Sequence, residues 1–246
     1  MGYHESLTEG RNAVLEAFRS GKTVDRLFVL DGCQDGPVKT ILREAKKQDT
    51  MVQYVKKERL DQLSETKNHQ GVIAYCAACE YAEVSDILEN AKKKGEAPFI
   101  VLLDGIEDPH NLGAIIRTAN QAGAHGVIIP KRRAVGLTAT VARTSAGAVN
   151  YTPVAKVTNL VTVMEDLKKE GMWFVCADMD GEEMYSLNLK GPIGLVIGNE
   201  GEGVSRLVKE HCDMVASIPM KGDIDSLNAS VAMGVLAYEI VRKIRF

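Results

Sequence analysis

Five short runs in the later part of the chain are apolar almost throughout instead of alternating: FIVLLD (99–104), GVIIP (126–130), MWFVCAD (172–178), IGLVIGNE (193–200) and DMVASIP (213–219). A strand that is apolar on both faces needs cover on both, and helices supply it. The stretches between them, 112–121, 159–169, 204–210 and a long one from 227 to 242, carry apolar residues at helical spacing. This alternation specifies an α/β domain with a mostly parallel sheet and helices on both sides.

A smaller unit precedes it. GRNAVLEAFRSG and PVKTILREAKKQ read as helices, with Pro37 at a natural first-turn position. RLFVL, MVQYV and GVIAYCA read as strands, and KKERLDQLS as a short helix. Residues 81–98 are polar and lysine-rich and end at Pro98, as in a helix-containing linker. The expected organisation is therefore 1–80, a linker at 81–98, and 99–246; a chain of 246 residues suits two domains.

Composition narrows the function. No run of about 18 apolar residues is present, so no helical span is expected. MGYHESLTEGRNAV has no positive segment leading into an apolar run, so no secretory signal is expected, and Gly2 with His4 and Glu5 is not taken as a myristoylation site. The five cysteines (33, 76, 79, 176 and 212) are odd in number and scattered, as suits reduced thiols in a cytoplasmic protein. Cys76 and Cys79 form one C-x-x-C, but no second ligand pair follows, so no metal is expected. The net charge of −3 means that any nucleic-acid contact must use local patches: Arg11, or Lys131, Arg132 and Arg133 with Arg143 nearby. The runs Lys46–Lys47, Lys56–Lys57 and Lys92–Lys94 sit beside acids and read as solvated helix faces.

Ligands of open parallel sheets bind where strands lead into helices. Three such loops are rich in Gly, Asn, Ser and acids: 104–120, 197–205 and 218–232. Gly198, Gly201 and Gly203 read G-x-x-G-x-G, which is neither the dinucleotide fingerprint nor a P-loop. The bland reading of such a cluster is a tight turn that tolerates positive φ, and three unusual loops at strand ends in one domain count against it.

NLGAIIRTA (111–119), LVIGNEGEGVS (195–205) and IPMKGDIDSLNASVAMGVLAYE (218–239) resemble, in order and spacing, the three motifs of the SpoU (TrmH) branch of the SPOUT RNA methyltransferases. GRNAV and NHQGVIA resemble the substrate-binding domain of its ribose 2′-O-methyltransferases. Within the family the resemblance is nearest to enzymes that methylate a guanosine of large-subunit (23S) ribosomal RNA, with transfer RNA enzymes next. It implies a trefoil-knotted catalytic domain, although chains in general do not thread knots, preceded by an L30e-like α/β RNA-binding domain. It also implies S-adenosylmethionine as cofactor, RNA as partner and a homodimer.

By the same resemblance, Gly198, Ile218 and Leu227 hold the cofactor, and Asn111, Arg117, Glu200, Ser226 and Asn228 are catalytic. Asn111 and Arg117, six residues apart, are expected to face one crevice. Arg117 is proposed in the family to take the ribose proton, but a guanidinium with a pKa above about 12 suits phosphate holding and alkoxide stabilisation better. Ser226 and Asn228 open the last helix, where such residues commonly cap as well. His110 reads as a surface histidine of a D-P-H turn. The last helix is apolar around much of its circumference and is expected to be buried on more than one side.

Two rival readings are an RNA-binding protein with an inactive second domain and a Rossmann-type methyltransferase or oxidoreductase. The five polar motif residues oppose the first, and the missing G-x-G-x-x-G after the first strand opposes the second.

Overall fold

In the computed structural model, which describes residues 6–33, 35–223 and 226–245, the chain divides into two units. One comprises residues 1–80 with 136–139, the other 81–135 with 140–246.

The first unit runs β1 (Ser6–Glu9), α1 (Arg11–Arg19), β2 (Val24–Leu30), α2 (Gly36–Lys47), β3 (Met51–Val55), α3 (Lys57–Leu63) and β4 (Val72–Cys76). Its sheet has the order β1-β4-β2-β3, with β2 and β3 parallel and the other pairs antiparallel. One face buries Leu27, Val29, Val72 and Ala74 against Val14 and Phe18 of α1 and Val38 and Ile41 of α2. The other buries Phe28 and Ile73 under Leu60 of α3. Asp35 caps α2 by accepting from the Val38 N–H at 3.1 Å, ahead of Pro37. The strand β1 was not legible, because four residues of SLTE carry too little alternation to stand out.

The second unit runs α4 (Val84–Lys94), β5 (Phe99–Asp104), α5 (Pro109–Gln121), β6 (Gly126–Pro130), α6 (Ala139–Thr144), a 3-10 turn (Ala148–Asn150), β7 (Val154–Val157), α7 (Leu160–Lys169), β8 (Trp173–Glu183), β9 (Ile193–Gly198), α8 (Arg206–Glu210), β10 (Met214–Ser217) and α9 (Ala229–Arg245). All neighbours in its sheet, order β10-β8-β9-β5-β6-β7, are parallel. The α/β reading with a parallel sheet therefore holds. Residues 100–103 and 193–197 are wholly buried, as apolar strands covered on both sides must be. Chain order reverses beside β5: the chain leaves towards β6 and β7, then returns to place β9 on the opposite flank. Such a switch point leaves an opening at the carboxyl ends of the two strands.

The segment 81–98 differs from the linker expected of it. Ile87 and Ala91 of α4 are buried, and Ile87 belongs to the same core as Ile100, Ile128 and Phe174. A Cβ at Gly126 would lie 2.5 Å from Ile87 Cγ1, so glycine is what lets α4 close on β6. Polar residues dominate the segment because only one helix face is covered. Among the described residues no helix is long and apolar enough to cross a membrane. Cys76 and Cys176 are buried, Cys33, Cys79 and Cys212 are half-buried, and all five are free thiols.

Candidate active site

The first of the three loops becomes helix almost at once. Asp108 caps α5 by accepting from the His110 N–H at 2.9 Å, and Pro109 takes the first helical position, where its missing N–H costs nothing. Asn111 therefore lies in the first turn, and its side chain is buried. Two residues on, Gly113 lets α6 approach: a Cβ there would stand 2.6 Å from Thr144 Cβ and 3.0 Å from the Val141 carbonyl.

The second loop is a tight hairpin. Asn199 and Gly203 exchange backbone hydrogen bonds of 3.1 and 2.8 Å, and Gly203 turns the chain at φ +67. Gly198 is pressed so close that a Cβ would fall 2.1 Å from the Gly203 carbonyl carbon. The hairpin is pinned to the end of β5: the Asn199 amide donates to the Gly105 carbonyl at 2.9 Å, and the Ser205 N–H donates to Asp104 at 2.8 Å. Sequence reasoning missed Asn199 and Asp104 as positioning residues. Their signal is that each polar side chain directly abuts an apolar strand end.

The third loop delivers Asn228 to the start of α9. Its carbonyl accepts from Val231 and Ala232, and its side-chain oxygen accepts from the Ser230 N–H at 3.0 Å and the Ser230 hydroxyl at 2.5 Å. That fixes the amide, so its NH2 points away from the helix. It donates to Asn111 Oδ1 at 3.0 Å and to Glu200 Oε1 at 2.9 Å. Asn111 in turn donates its own NH2 to Glu200 Oε1. Residues from three distant loops thus close one polar triangle. A carboxylate can only accept, so Glu200 sets the orientation of both amides. Its Oε1 takes two N–H donors, and Oε2 has no hydrogen bond among the described residues.

The remaining site residues fall in three groups. Gly198 ends β9, Ile218 directly follows β10, and both lie half-buried at the carboxyl edge, as does Leu227 one residue before Asn228. Ser226 is exposed, and Ile224 and Asp225 of the same loop lie outside the described residues. Arg117 is a correction. Because α5 is helical from Pro109 onwards, six residues place Arg117 about 120° round the axis and about 9 Å along it from Asn111. It is exposed and has no partner among the described residues, so within one chain it does not share the crevice of the triangle. His110 is exposed, as expected of a D-P-H turn.

Among the basic residues, Arg132 and Arg133 are exposed after β6, and Lys131 is half-buried with its N–H on the Val157 carbonyl at 2.8 Å. Val135 donates to the Ile106 carbonyl at 3.0 Å, which ties this loop to the one entering α5. Arg11, expected to meet RNA, is engaged within the first unit. Its guanidinium is 2.6 Å from Asp35, and its Nε donates to the Gln70 carbonyl at 3.0 Å. Among the described residues no group of three His, Cys, Asp or Glu is placed to hold a metal ion.

A parallel α/β sheet whose three polar loops meet at its switch point defines an α/β domain with a ligand site at the strand ends. Residues 98–238 match the SpoU rRNA Methylase family, and residues 7–82 match the RNA 2′-O ribose methyltransferase substrate-binding domain. The chain belongs to the SpoU rRNA methylase family. It is 49% identical over 236 residues to YacO of Bacillus subtilis, which is named for the TrmH family of tRNA/rRNA methyltransferases; the match covers 95% of this chain and 94% of that one.

Solved structures agree. The SpoU methyltransferase AviRb of Streptomyces viridochromogenes in complex with AdoMet is 27% identical, with a TM-score of 0.61 over 97% of this chain and 90% of its own. An AdoMet-bound rRNA methyltransferase of Sinorhizobium meliloti is 25% identical, with a TM-score of 0.60 over 96% of this chain and 86% of its own. A TrmH/SpoU tRNA-modifying enzyme of A. aeolicus is 27% identical, with a TM-score of 0.55 over 64% of this chain and 83% of its own.

Proposed function

We propose that this protein is an S-adenosylmethionine-dependent RNA methyltransferase that modifies a ribose 2′-hydroxyl, acting on a guanosine of large-subunit ribosomal RNA in the cytoplasm. The observation that carries the reading is the triangle of Asn111, Glu200 and Asn228, which joins three loops through side chains that have no core-packing reason to meet. An inactive domain would have no need of it. The ribosomal reading draws support from coverage: the rRNA methyltransferase of Sinorhizobium meliloti aligns with 96% of this chain, the tRNA-modifying enzyme with 64%. A transfer RNA substrate is the second reading, favoured by the tRNA/rRNA naming of the Bacillus relative. In this proposal the second unit is trefoil-knotted, the first is an L30e-like RNA-binding domain, and two copies form a homodimer.

The residues at the carboxyl edge suit the cofactor. Gly198 lets the hairpin of the second loop close tightly at the end of β9 and so shapes the backbone that would hold the cofactor, and half-buried Ile218 and Leu227 offer apolar walls for an adenine. S-adenosylmethionine, when bound, supplies a methyl group on a sulfonium, already a strong electrophile. The protein's task is then alignment, which can contribute roughly 7–11 kcal/mol. Glu200 Oε2, left free by the triangle, accepts a hydrogen bond from the ribose, and Asn111 and Asn228 hold the carboxylate in place. Ser226, exposed beside them, contacts the nucleoside. Arg117 holds the neighbouring phosphate and stabilises the developing alkoxide, since a guanidinium does not give up its proton.

Calorimetry with S-adenosylmethionine and with NAD, followed by nucleoside analysis of ribosomal and transfer RNA from cells lacking the protein, tests this. S-adenosylmethionine should bind and NAD should not, and ribosomal RNA should lose one 2′-O-methylguanosine. A loss from transfer RNA instead would select the second reading, and no loss from either RNA would overturn both.

A further inference from the structure

Among the described side chains of the second unit the arginines fall into two sets. Arg206 lies 3.6 Å from Glu210 and Arg242 2.7 Å from Glu239, so each is neutralised. Arg117, Arg132, Arg133 and Arg143 are exposed, and among the described residues none has a carboxylate in salt-bridge reach. In a chain of net charge −3, acids are plentiful enough that four unpaired guanidiniums between positions 117 and 143 mark a surface kept cationic.

Arg143 lies outside the three motifs and outside the basic run 131–133, near which the sequence alone places it. It sits in the last turn of α6, whose place is fixed by the Gly113 contact with Val141, Thr144 and Ser145. Ser145 is fully buried; its N–H donates to the Val141 carbonyl and its hydroxyl to the Ala142 carbonyl, both at 2.9 Å. Ala146 and Gly147 then turn the chain sharply at φ 50 and 87. The backbone beneath Arg143 is therefore rigid. Its guanidinium carries one hydrogen bond, from Nη2 to the Thr140 hydroxyl at 3.2 Å, which leaves most of its donors unused.

The position also connects to the candidate site. Gly113 is two residues beyond Asn111, and Ile106, whose carbonyl holds the loop bearing Arg132 and Arg133, is five before it. Two unpaired cationic segments thus bracket the turn that carries Asn111.

We propose that Arg143 binds a phosphodiester of the RNA strand, gripping it from the α6 side of Asn111 while Arg132 and Arg133 act from the β6 side. This rests on the RNA methyltransferase reading above. A planar fork of donors on a rigid helix suits a phosphate better than a lysine on a flexible stem would.

The test uses the full chain with a short fluorescein-labelled oligoribonucleotide of mixed sequence, its anisotropy followed across a potassium chloride series. Arg143→Ala should weaken binding about three- to tenfold and flatten the logarithmic salt slope by about 0.7, the value for one contact to a single strand. Arg143→Lys should restore the slope but not the full affinity. Calorimetric affinity for S-adenosylmethionine should not change. Should the alanine variant melt early, Arg143→Gln, which can still bond Thr140, replaces it. Parental affinity and slope in the alanine or glutamine variant would overturn the assignment while leaving the RNA reading intact. Failure of the parent itself to bind the oligoribonucleotide would instead remove the RNA reading, and this assignment with it.

Discussion

Asn228 does two jobs with one amide, and they can be separated. Its oxygen caps α9, accepting from Ser230, while its NH2 donates to Asn111 and Glu200. Aspartate caps helices as well as asparagine does, and removing a cap costs about 1 kcal/mol. Aspartate cannot donate, however, and would set a second carboxylate against Glu200 Oε1. Asn228→Asp is therefore expected to keep its thermal midpoint within a degree or two of the parent, while methyl transfer falls on the order of a hundredfold because the loops are no longer in register. Equal losses in Asn228→Asp and Asn228→Ala, each accompanied by an early melt, would mean that only the cap matters. None of this pairing was readable from residue spacing: Asn111 and Glu200 are 89 positions apart, Asn111 and Asn228 117. Resemblance to a family named the three residues, and only the folded chain says that they touch.

At the scale of elements, the long apolar strands were legible because burial on both faces leaves an unbroken apolar run. The strand β7 and the helix α6 were not, since VAKV and ATVART are too short for either period to repeat. The lysine-rich polarity of α4 hid a buried face, and the segment that follows it is held by one imidazole. His125 accepts the Phe99 N–H at 3.0 Å on Nδ1, so its Nε2 carries the proton and meets Glu96 at 3.0 Å. Asn90 of α4 donates to the His125 carbonyl at 2.9 Å. Burial holds the imidazole below its ordinary pKa, with the Glu96 hydrogen bond opposing that. Because the folded value is the lower one, the folded state binds fewer protons than the unfolded. Stability is thus full above the ordinary histidine pKa of 6.5 and is lost as pH falls from there through the folded value. Denaturant midpoints should decline on acidification below about pH 6.5, the ordinary value for histidine. His125→Gln, which can still accept from Phe99, should show a shallower decline over the same interval; an unchanged decline would place the acid sensitivity elsewhere.

At the scale of the whole molecule, the puzzle is Arg117, which the family motif singles out and α5 turns away from the triangle. Its neighbour Thr118 meets α9, where a Cβ at Gly234 would lie 3.4 Å from Thr118 Cγ2. Flanking Gly234 on that helix, Val231 and Tyr238 are each about half exposed, whereas Met233, Leu236, Ala237 and Ile240 are buried. The last helix is thus covered on one side in the single chain, not on more than one as its composition suggested. An open apolar stripe beside an unpaired arginine suits a twofold interface, in which the same patch meets its own copy. On the homodimer proposal, Arg117 of one copy serves the triangle of the other. Two singly inactive proteins then complement each other. In an equal mixture of Arg117→Ala and Glu200→Ala chains, unfolded and refolded together, half the dimers are mixed, and each mixed dimer has one intact site. The mixture should recover about a quarter of parental activity, as random twofold pairing dictates, while each variant alone stays inactive. Adding Tyr238→Asp to both chains, to break the stripe, should abolish the recovery and yield monomers in sedimentation. A mixture that remains inactive although mixed dimers form would show that Arg117 acts within its own chain.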